Sequence, residues 1–252
     1  TITGLIKLRD TKNSQSFYLK LTPVNDNTVK LESLMPNFGN ALKKTKVSEN
    51  INSGFGVLYG DLVFEDNKFD SANLKLSVKK YQVLKAPLLA KVLARLSLDQ
   101  LFTKKKGILF DELYTEINYN DGILELKNAK AKGPSLGFML NGVYDTKTKV
   151  TDMNGTLVPV VKLNSVLGNI PVLGYILTGS QGAISGADFK IYTEKGEDKV
   201  SVSPLSIVTP GIVKDLFSSV GNLIPGVNND GSKIVQKARE KANIESKNTG
   251  DK

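Results

Sequence analysis

Ser71-Ala72-Asn73-Leu74-Lys75-Leu76-Ser77-Val78-Lys79 alternates apolar and polar side chains at every step. Successive side chains of a β-strand point to opposite faces, so this stretch reads as a strand with one buried and one wet face. The same period recurs on both sides of it. In Asp111–Tyr119, Leu113, Thr115, Ile117 and Tyr119 alternate with Glu112, Tyr114, Glu116 and Asn118. In Leu136–Tyr144, the residues Leu136, Phe138, Leu140 and Tyr144 share a face, and Ser16–Pro23 sets Phe17, Leu19 and Leu21 against Tyr18, Lys20 and Thr22. Further strands are expected at Gly4–Arg9, Thr28–Ser33, Gly54–Phe64, Ile123–Ala131, Thr148–Val158, Ala183–Tyr192 and Lys199–Ser203.

The connections are mostly short. Asn120-Asp121-Gly122 is a tight-turn signal because glycine accepts positive φ cheaply, and Asp145–Lys147 and Glu194–Asp198 read alike. Short links between consecutive strands imply an antiparallel meander. The spacing also predicts helices. One covers Met35–Thr45, with Asn37 as its cap, and one covers Ala86–Phe102, within which Ser97 or Leu98 can start a second short piece. Two short pieces are expected in Lys162–Leu177, broken at Pro171, and another over Pro210–Val220. Asn228–Lys252 is polar and charged and is expected to be a helical or disordered tail. The fold expected is therefore mainly β, with a few short helices covering or capping the sheet.

Composition removes several kinds of chemistry. The 252 residues contain no cysteine and no histidine. Thiol nucleophiles, thiolate zinc sites, iron–sulfur clusters, Ser-His-Asp arrangements and His-liganded metals are excluded. No GxxxxGK[ST] loop or GxGxxG fingerprint is present, and Gly54-Phe55-Gly56 reads as a bend or bulge entering a strand. Asp111 and Glu112 are adjacent on a strand, so they face opposite ways and form no acid/base pair. A carboxylate hydrolase would need two carboxylates converging about 5–9.5 Å apart, and no such pair is evident. No catalytic residue, metal or cofactor is assigned.

The net charge is +9, with 34 Lys+Arg against 25 Asp+Glu. That balance suits anionic partners such as a membrane surface. Nucleic acid is disfavoured, because aromatics make up only 7% of the chain, Trp is absent and the lysines are scattered. Lys104-Lys105-Lys106, beside the Ala86–Phe102 helix, could meet anionic lipid or be a solvated loop. Leu163–Ala187 carries no charge, but Pro171 and several glycines argue against a spanning helix. The chain starts at Thr1 with no basic-then-apolar leader, which suggests a processed end or a piece of a longer protein. Rows of Leu, Ile, Val and Phe fit a sandwich or barrel core as well as an open apolar groove. Alternation alone does not choose between them.

A resemblance does choose. Lys85-Ala86-Pro87-Leu88-Leu89-Ala90-Lys91-Val92-Leu93 resembles the "DAPLLARLL" segment of the AsmA-like C-terminal domain, and Gly133-Pro134-Ser135-Leu136-Gly137 its "GPALG" step. Gly155-Thr156-Leu157-Val158-Pro159, followed by the run Leu163–Gly174, is similar to "GTLVPAYALNSLLGNIPLLG". Leu177-Thr178-Gly179 matches "LTG", and Val200–Ser206 with Thr209-Pro210-Gly211 resembles "VSVNPLSxLxPGFLRxLF", ending at Leu216-Phe217. Asn37–Asn52 fits the looser "DAGALLRALGLYDNIRGG" helix. Lys85 stands where the family often has Asp, and Ser203 where it has Asn. The match runs in order over roughly Met35–Phe217.

The resemblance implies a protein of the YhdP and TamB type. Such proteins are anchored in the inner membrane of double-membraned bacteria by an upstream helix and cross the periplasm as a long antiparallel curved sheet. That taco-shaped β-groove is thought to let phospholipid acyl chains slide toward the outer membrane. On that footing residues 1–34 are strands continuing an upstream groove, 35–225 the β-groove domain, and 226–252 the tail. The expected groove residues are Leu74, Leu76, Val78, Leu113, Ile117, Leu136, Phe138 and Leu140. Leu88, Leu89, Val92, Leu93 and Leu96, with Lys104, Lys105 and Lys106, are expected to cap the groove or touch a membrane. The partners implied are phospholipids, the inner membrane through the absent anchor, and the outer membrane or one of its proteins. The alternative is an envelope structural or assembly module that binds an outer-membrane protein through a sheet edge.

Overall fold

The structure is a computed structural model that describes residues 4–9, 16–98, 107–159, 185–207 and Leu216. All of them belong to the first of two units into which the chain divides, Thr1–Phe217 and Ser218–Lys252. The elements run β1 (Gly4–Arg9), β2 (Ser16–Pro23), β3 (Thr28–Met35), α1 (Phe38–Lys44), β4 (Ile51–Glu65), β5 (Lys68–Val83) and α2 (Pro87–Arg95). They continue as β6 (Ile108–Asn120), β7 (Ile123–Lys132), β8 (Leu136–Asp145), β9 (Val150–Pro159), β10 (Ser185–Glu194) and β11 (Glu197–Ile207).

The eleven strands form one sheet in chain order, β1 to β11, and every neighbouring pair is antiparallel. The protein is thus mainly β, an open curved antiparallel sheet with two short helices. Every strand expected from alternation is present, several of them longer than the apolar pattern alone. The sheet passes unbroken through position 35, so β1–β3 are continuous with the rest.

Turn chemistry sets the meander. Asp66-Asn67, Asp121-Gly122 and Lys195-Gly196 each place two successive residues at φ between +45° and +87°. Two residues of positive φ make the hairpin turn whose twist matches the flanking strands. Asp145 closes the longer β8–β9 loop, its Oδ1 accepting from the backbone N–H groups of Lys147 (2.8 Å) and Thr148 (3.0 Å).

Both helices are shorter than the sequence suggests. Asn37 caps α1 as expected, its side chain accepting from the Asn40 N–H at 2.9 Å. The helix expected over Ala86–Phe102 ends at Arg95. Ser97 takes φ +57°, its N–H donates to the Ala94 carbonyl, and the Leu98 N–H reaches the Leu93 carbonyl at 2.8 Å. This double closure is a Schellman stop, and the buried Leu98 supplies the apolar contact that goes with it. α1 stops the same way, with Lys46 at φ +58° and the Val47 N–H on the Leu42 carbonyl. The helices expected in Lys162–Leu177 and Pro210–Val220, and the 226–252 tail, lie outside the described residues apart from Leu216, which is helical.

One apolar cluster holds the fold together. It joins Met35 and Phe38 to Val78 and Tyr81, to Val92 and Leu93 of α2, and on to Phe189 and Val200. α2 leaves the end of β5 yet packs on β11. In a flat sheet six strand spacings would separate those strands by roughly 29 Å. A nine-residue helix is only about 14 Å long. The sheet therefore curls around the helix, and the face carrying the cluster is the concave one.

Candidate functional site

The register shows what lies on the concave face. Leu74 on β5 pairs with Ile117 on β6, and Ile117 pairs with Leu126 on β7. Val78 pairs with Leu113, Leu113 with Ala131, Ala131 with Phe138, and Phe138 with Leu157. Leu76 pairs with Leu58 on one side and Thr115 on the other. Directly opposed residues share a face. Leu74, Leu76, Val78, Leu113, Ile117, Leu136, Phe138 and Leu140 therefore all sit on one side of the sheet. Their exposures differ. Val78 and Leu136 are fully buried, while the other six are half-buried. The first two belong to the packed core beside the helices, and the others keep apolar surface that water can reach.

The opposite face is mixed: Val57, Tyr114 and Val158 are buried on it, Val158 in a small second cluster with Leu216 and Met139, and the rest of it is largely polar. Cross-strand ion pairs run along it, among them Lys190–Asp152 at 3.0 Å and Lys20–Glu32 at 3.9 Å. Exposed pairs of this kind add little stability, but they keep the convex side wet. Glu112 Oε2 lies 3.2 Å from Lys132 Nζ without hydrogen-bond alignment, and both side chains are largely covered. Asp111 is paired instead with Lys80. The two adjacent carboxylates are thus each taken up by a separate lysine. Among the described residues no group of three carboxylates gathers.

Val92 and Leu93 are buried against the concave face, with Leu96 beside them, and Leu88 and Leu89 are partly buried on the same cluster. The apolar strip of α2 is spent on the sheet, at the β11 side of the concavity. Lys104, Lys105 and Lys106 lie outside the described residues. Gly54-Phe55-Gly56 has a packing reason. A Cβ at Gly56 would meet the Phe38 ring at 2.8 Å, and Gly54 sits at φ +89° against Tyr81.

Two features escaped the sequence reading. The first is a set of breaks in the strands. Lys80 in β5 and Asn128 in β7 have φ +53° and +52°, and the β7–β8 register shifts between Leu126 and Ala129. Asn128 sits in a bulge, and Lys80 is a left-handed residue in an unshifted register; at each, the flanking apolar residues, Val78 with Tyr81 and Leu126 with Ala129, are both buried or partly buried. The freed Asn128 N–H is satisfied by Asn141 Oδ1 at 2.7 Å. Two consecutive polar residues in an alternating row, Lys79-Lys80 and Lys127-Asn128, were the available signal.

The second is a pair of hollows away from the groove residues. One of about 420 Å³ lies on the convex side, lined by Asn141, Asn154, Thr156 and Lys190 among others. The other, of about 560 Å³, opens between α2 and the β10–β11 hairpin. None of the eight groove residues lines either one.

The chain matches no protein-family model, no curated protein and no solved structure. The site must therefore be read from its own chemistry. The described residues offer a concave face lined mostly by apolar side chains, a convex face crossed by ion pairs, and two tyrosine hydroxyls, Tyr81 and Tyr114, held in the neutral form. Burial pushes Tyr81 far above its ordinary range. Tyr114 is also raised, first by burial and then by the hydrogen bond it donates to Glu116 at 3.0 Å.

Proposed function

We propose that this chain shelters phospholipid acyl chains along the concave face of its sheet, as one segment of a bridge between the two membranes of a bacterial envelope. The observation that carries the reading is the single-sided placement of Leu74, Leu76, Leu113, Ile117, Phe138 and Leu140, still half-open to solvent on a curved sheet. Each CH₂ buried there is worth about 0.8 kcal/mol, and a smooth apolar wall without a pocket holds a chain in many registers. That suits passage better than tight binding. The AsmA-like motifs support the same reading and add its setting: the periplasm, an inner-membrane anchor upstream, and delivery toward the outer membrane in support of its integrity. α2 on the β11 side serves as the cap that ends the groove.

A second reading rests on the sheet edges. Among the described residues β1 pairs only with β2 and β11 only with β10. An open edge can accept a strand from a partner such as an outer-membrane protein. Photo-crosslinking separates the two. A crosslinker at Phe138 is expected to capture phospholipid and one at Asn141, on the convex side, is not. Capture of protein at β11 with no lipid at Phe138 would favour the edge-binding module.

A further inference from the structure

An amphiphile in an apolar groove needs somewhere polar for its head group, because an unpaired buried charge is costly. α2 carries both environments. Val92, Leu93 and Leu96 face the sheet, while Lys91, Ala94 and Arg95, spaced i, i+3 and i+4, form another strip. That strip makes one wall of the hollow of about 560 Å³, and Tyr192, Asp198 and Lys199 of the β10–β11 hairpin make the other. Val200 lines the same hollow and also belongs to the buried cluster, so the charged cleft adjoins the apolar interior.

The two cations of α2 form no ion pair with the hairpin's carboxylates. Glu197 is held by Lys199 at 2.8 Å, and the Asp198 carboxylate accepts from the Thr193 hydroxyl at 2.8 Å. Lys91 Nζ makes only a long contact, 3.4 Å, to the Asp198 backbone carbonyl. Among the described residues neither Lys91 nor Arg95 lies within ion-pair distance of a carboxylate. Ala94, the small residue of the same strip, lines the hollow with them.

We propose that the cleft between α2 and the β10–β11 hairpin binds the phosphodiester of a phospholipid head group, through Lys91 and Arg95. The inference rests on the acyl-groove reading and names where that groove meets the head group. A guanidinium offers a phosphate two parallel donors, and the ammonium adds a point charge beside it. Asp198 and Glu197 nearby keep the cleft from being strongly positive, which suits a singly charged diester better than a phosphomonoester.

The test uses the full chain and three probes: a short-chain diacyl phosphoethanolamine, the diacylglycerol of the same chain length, and inorganic phosphate. The phospholipid is expected to bind about tenfold or more tighter than the diacylglycerol, as one or two charge-assisted bonds allow. A Lys91→Gln/Arg95→Gln variant should erase that preference and leave diacylglycerol binding unchanged. A Lys75→Gln/Lys190→Gln variant, altered on the convex face, should keep it. Equal binding of both lipids to the unaltered chain would overturn the head-group site and leave the groove standing. So would a preference that survives in the Lys91/Arg95 variant. Phosphate binding as tightly as the phospholipid would make this a free-anion site and overturn the lipid assignment. Binding of neither lipid would overturn the groove and the head-group site together.

Discussion

Gly60 and Gly142 lie in one transverse row of strand partners, Gly60–Leu74–Ile117–Leu126–Gly142. Both take unusual positive φ, +151° and +154°. A Cβ at Gly60 would fall 2.0 Å from the Asn73 carbonyl oxygen, and one at Gly142 would fall 2.4 Å from that of Asp152. The neighbouring strand backbone thus approaches too closely for any side chain at both positions. Gly60→Ala and Gly142→Ala should each cost more than about 2 kcal/mol, because strain and overlap add. Gly196, at φ +78° with nothing within 4 Å of a Cβ, is the control. Gly196→Ala should cost only about 1 kcal/mol. Urea unfolding midpoints decide this, and equal losses at all three positions would contradict the close-approach argument.

The helix stops make the opposite prediction. Lys46 and Ser97 occupy the left-handed position that ends α1 and α2, where glycine is the relaxed residue. Lys46→Gly and Ser97→Gly should each raise stability by about 0.5–1 kcal/mol, measured by denaturant unfolding. A loss would show that the side chains make contacts outweighing the backbone strain.

Ser33 is buried on the concave face between Leu19 and Leu58, and its hydroxyl has no partner among the described residues. An unpaired buried hydroxyl costs about 1–3 kcal/mol. Ser33→Ala should therefore stabilise the fold by about 1 kcal/mol, read as a higher unfolding midpoint. Destabilisation would mean that the hydroxyl is satisfied in solution.

Charge linkage predicts a broad pH plateau. Asp145 is held below its ordinary value of 3.8, chiefly by its hydrogen bonds to Thr148 and Lys147. Glu125 and Glu197 are held below 4.5, chiefly by hydrogen bonds from Lys127 and Lys199. Groups depressed on folding contribute stability above their unfolded values and lose it as pH falls through the folded ones. Lys80, Lys147 and Lys199 are raised above 10.5 by hydrogen bonds from their ammonium groups to Asp111, Asp121 and Glu197. Their contribution is present below 10.5 and disappears as pH rises through the folded values. With no histidine or cysteine between these limits, thermal midpoints should be flat from about pH 5 to 9 and fall on both sides. A transition near pH 6–7 would contradict this.

Strand existence and order were legible in the sequence because each strand buries one face, and a period of two follows directly from that. The Asp121-Gly122 hairpin and the Asn37 cap were legible for equally local reasons. The curvature was expected from the family resemblance and not from alternation. The positive-φ positions inside the strands, Lys80, Asn128, Gly60 and Gly142, were not legible, because the backbone departs from the regular strand there without changing the apolar count. The stop of α2 was legible only as a break at Ser97 or Leu98, because Ser97 rather than glycine occupies the left-handed position. The likeness of Leu74, Ile117 and Phe138 as apolar strand residues was plain. That Val78 and Leu136 would be sealed in the core while their neighbours stay half-open depends on where α1 and α2 land. The Lys91–Arg95 cleft escaped notice because its second wall comes from a hairpin about a hundred residues downstream.

The central claim is most directly tested by mass spectrometry of lipid extracted from the chain purified without detergent. The control is a Leu76→Asp/Ile117→Asp/Phe138→Asp variant whose circular dichroism remains β. The account predicts phospholipid at or near one per chain in the unaltered protein and its loss in the folded variant. A folded, lipid-free unaltered chain, or equal lipid in both, would contradict it.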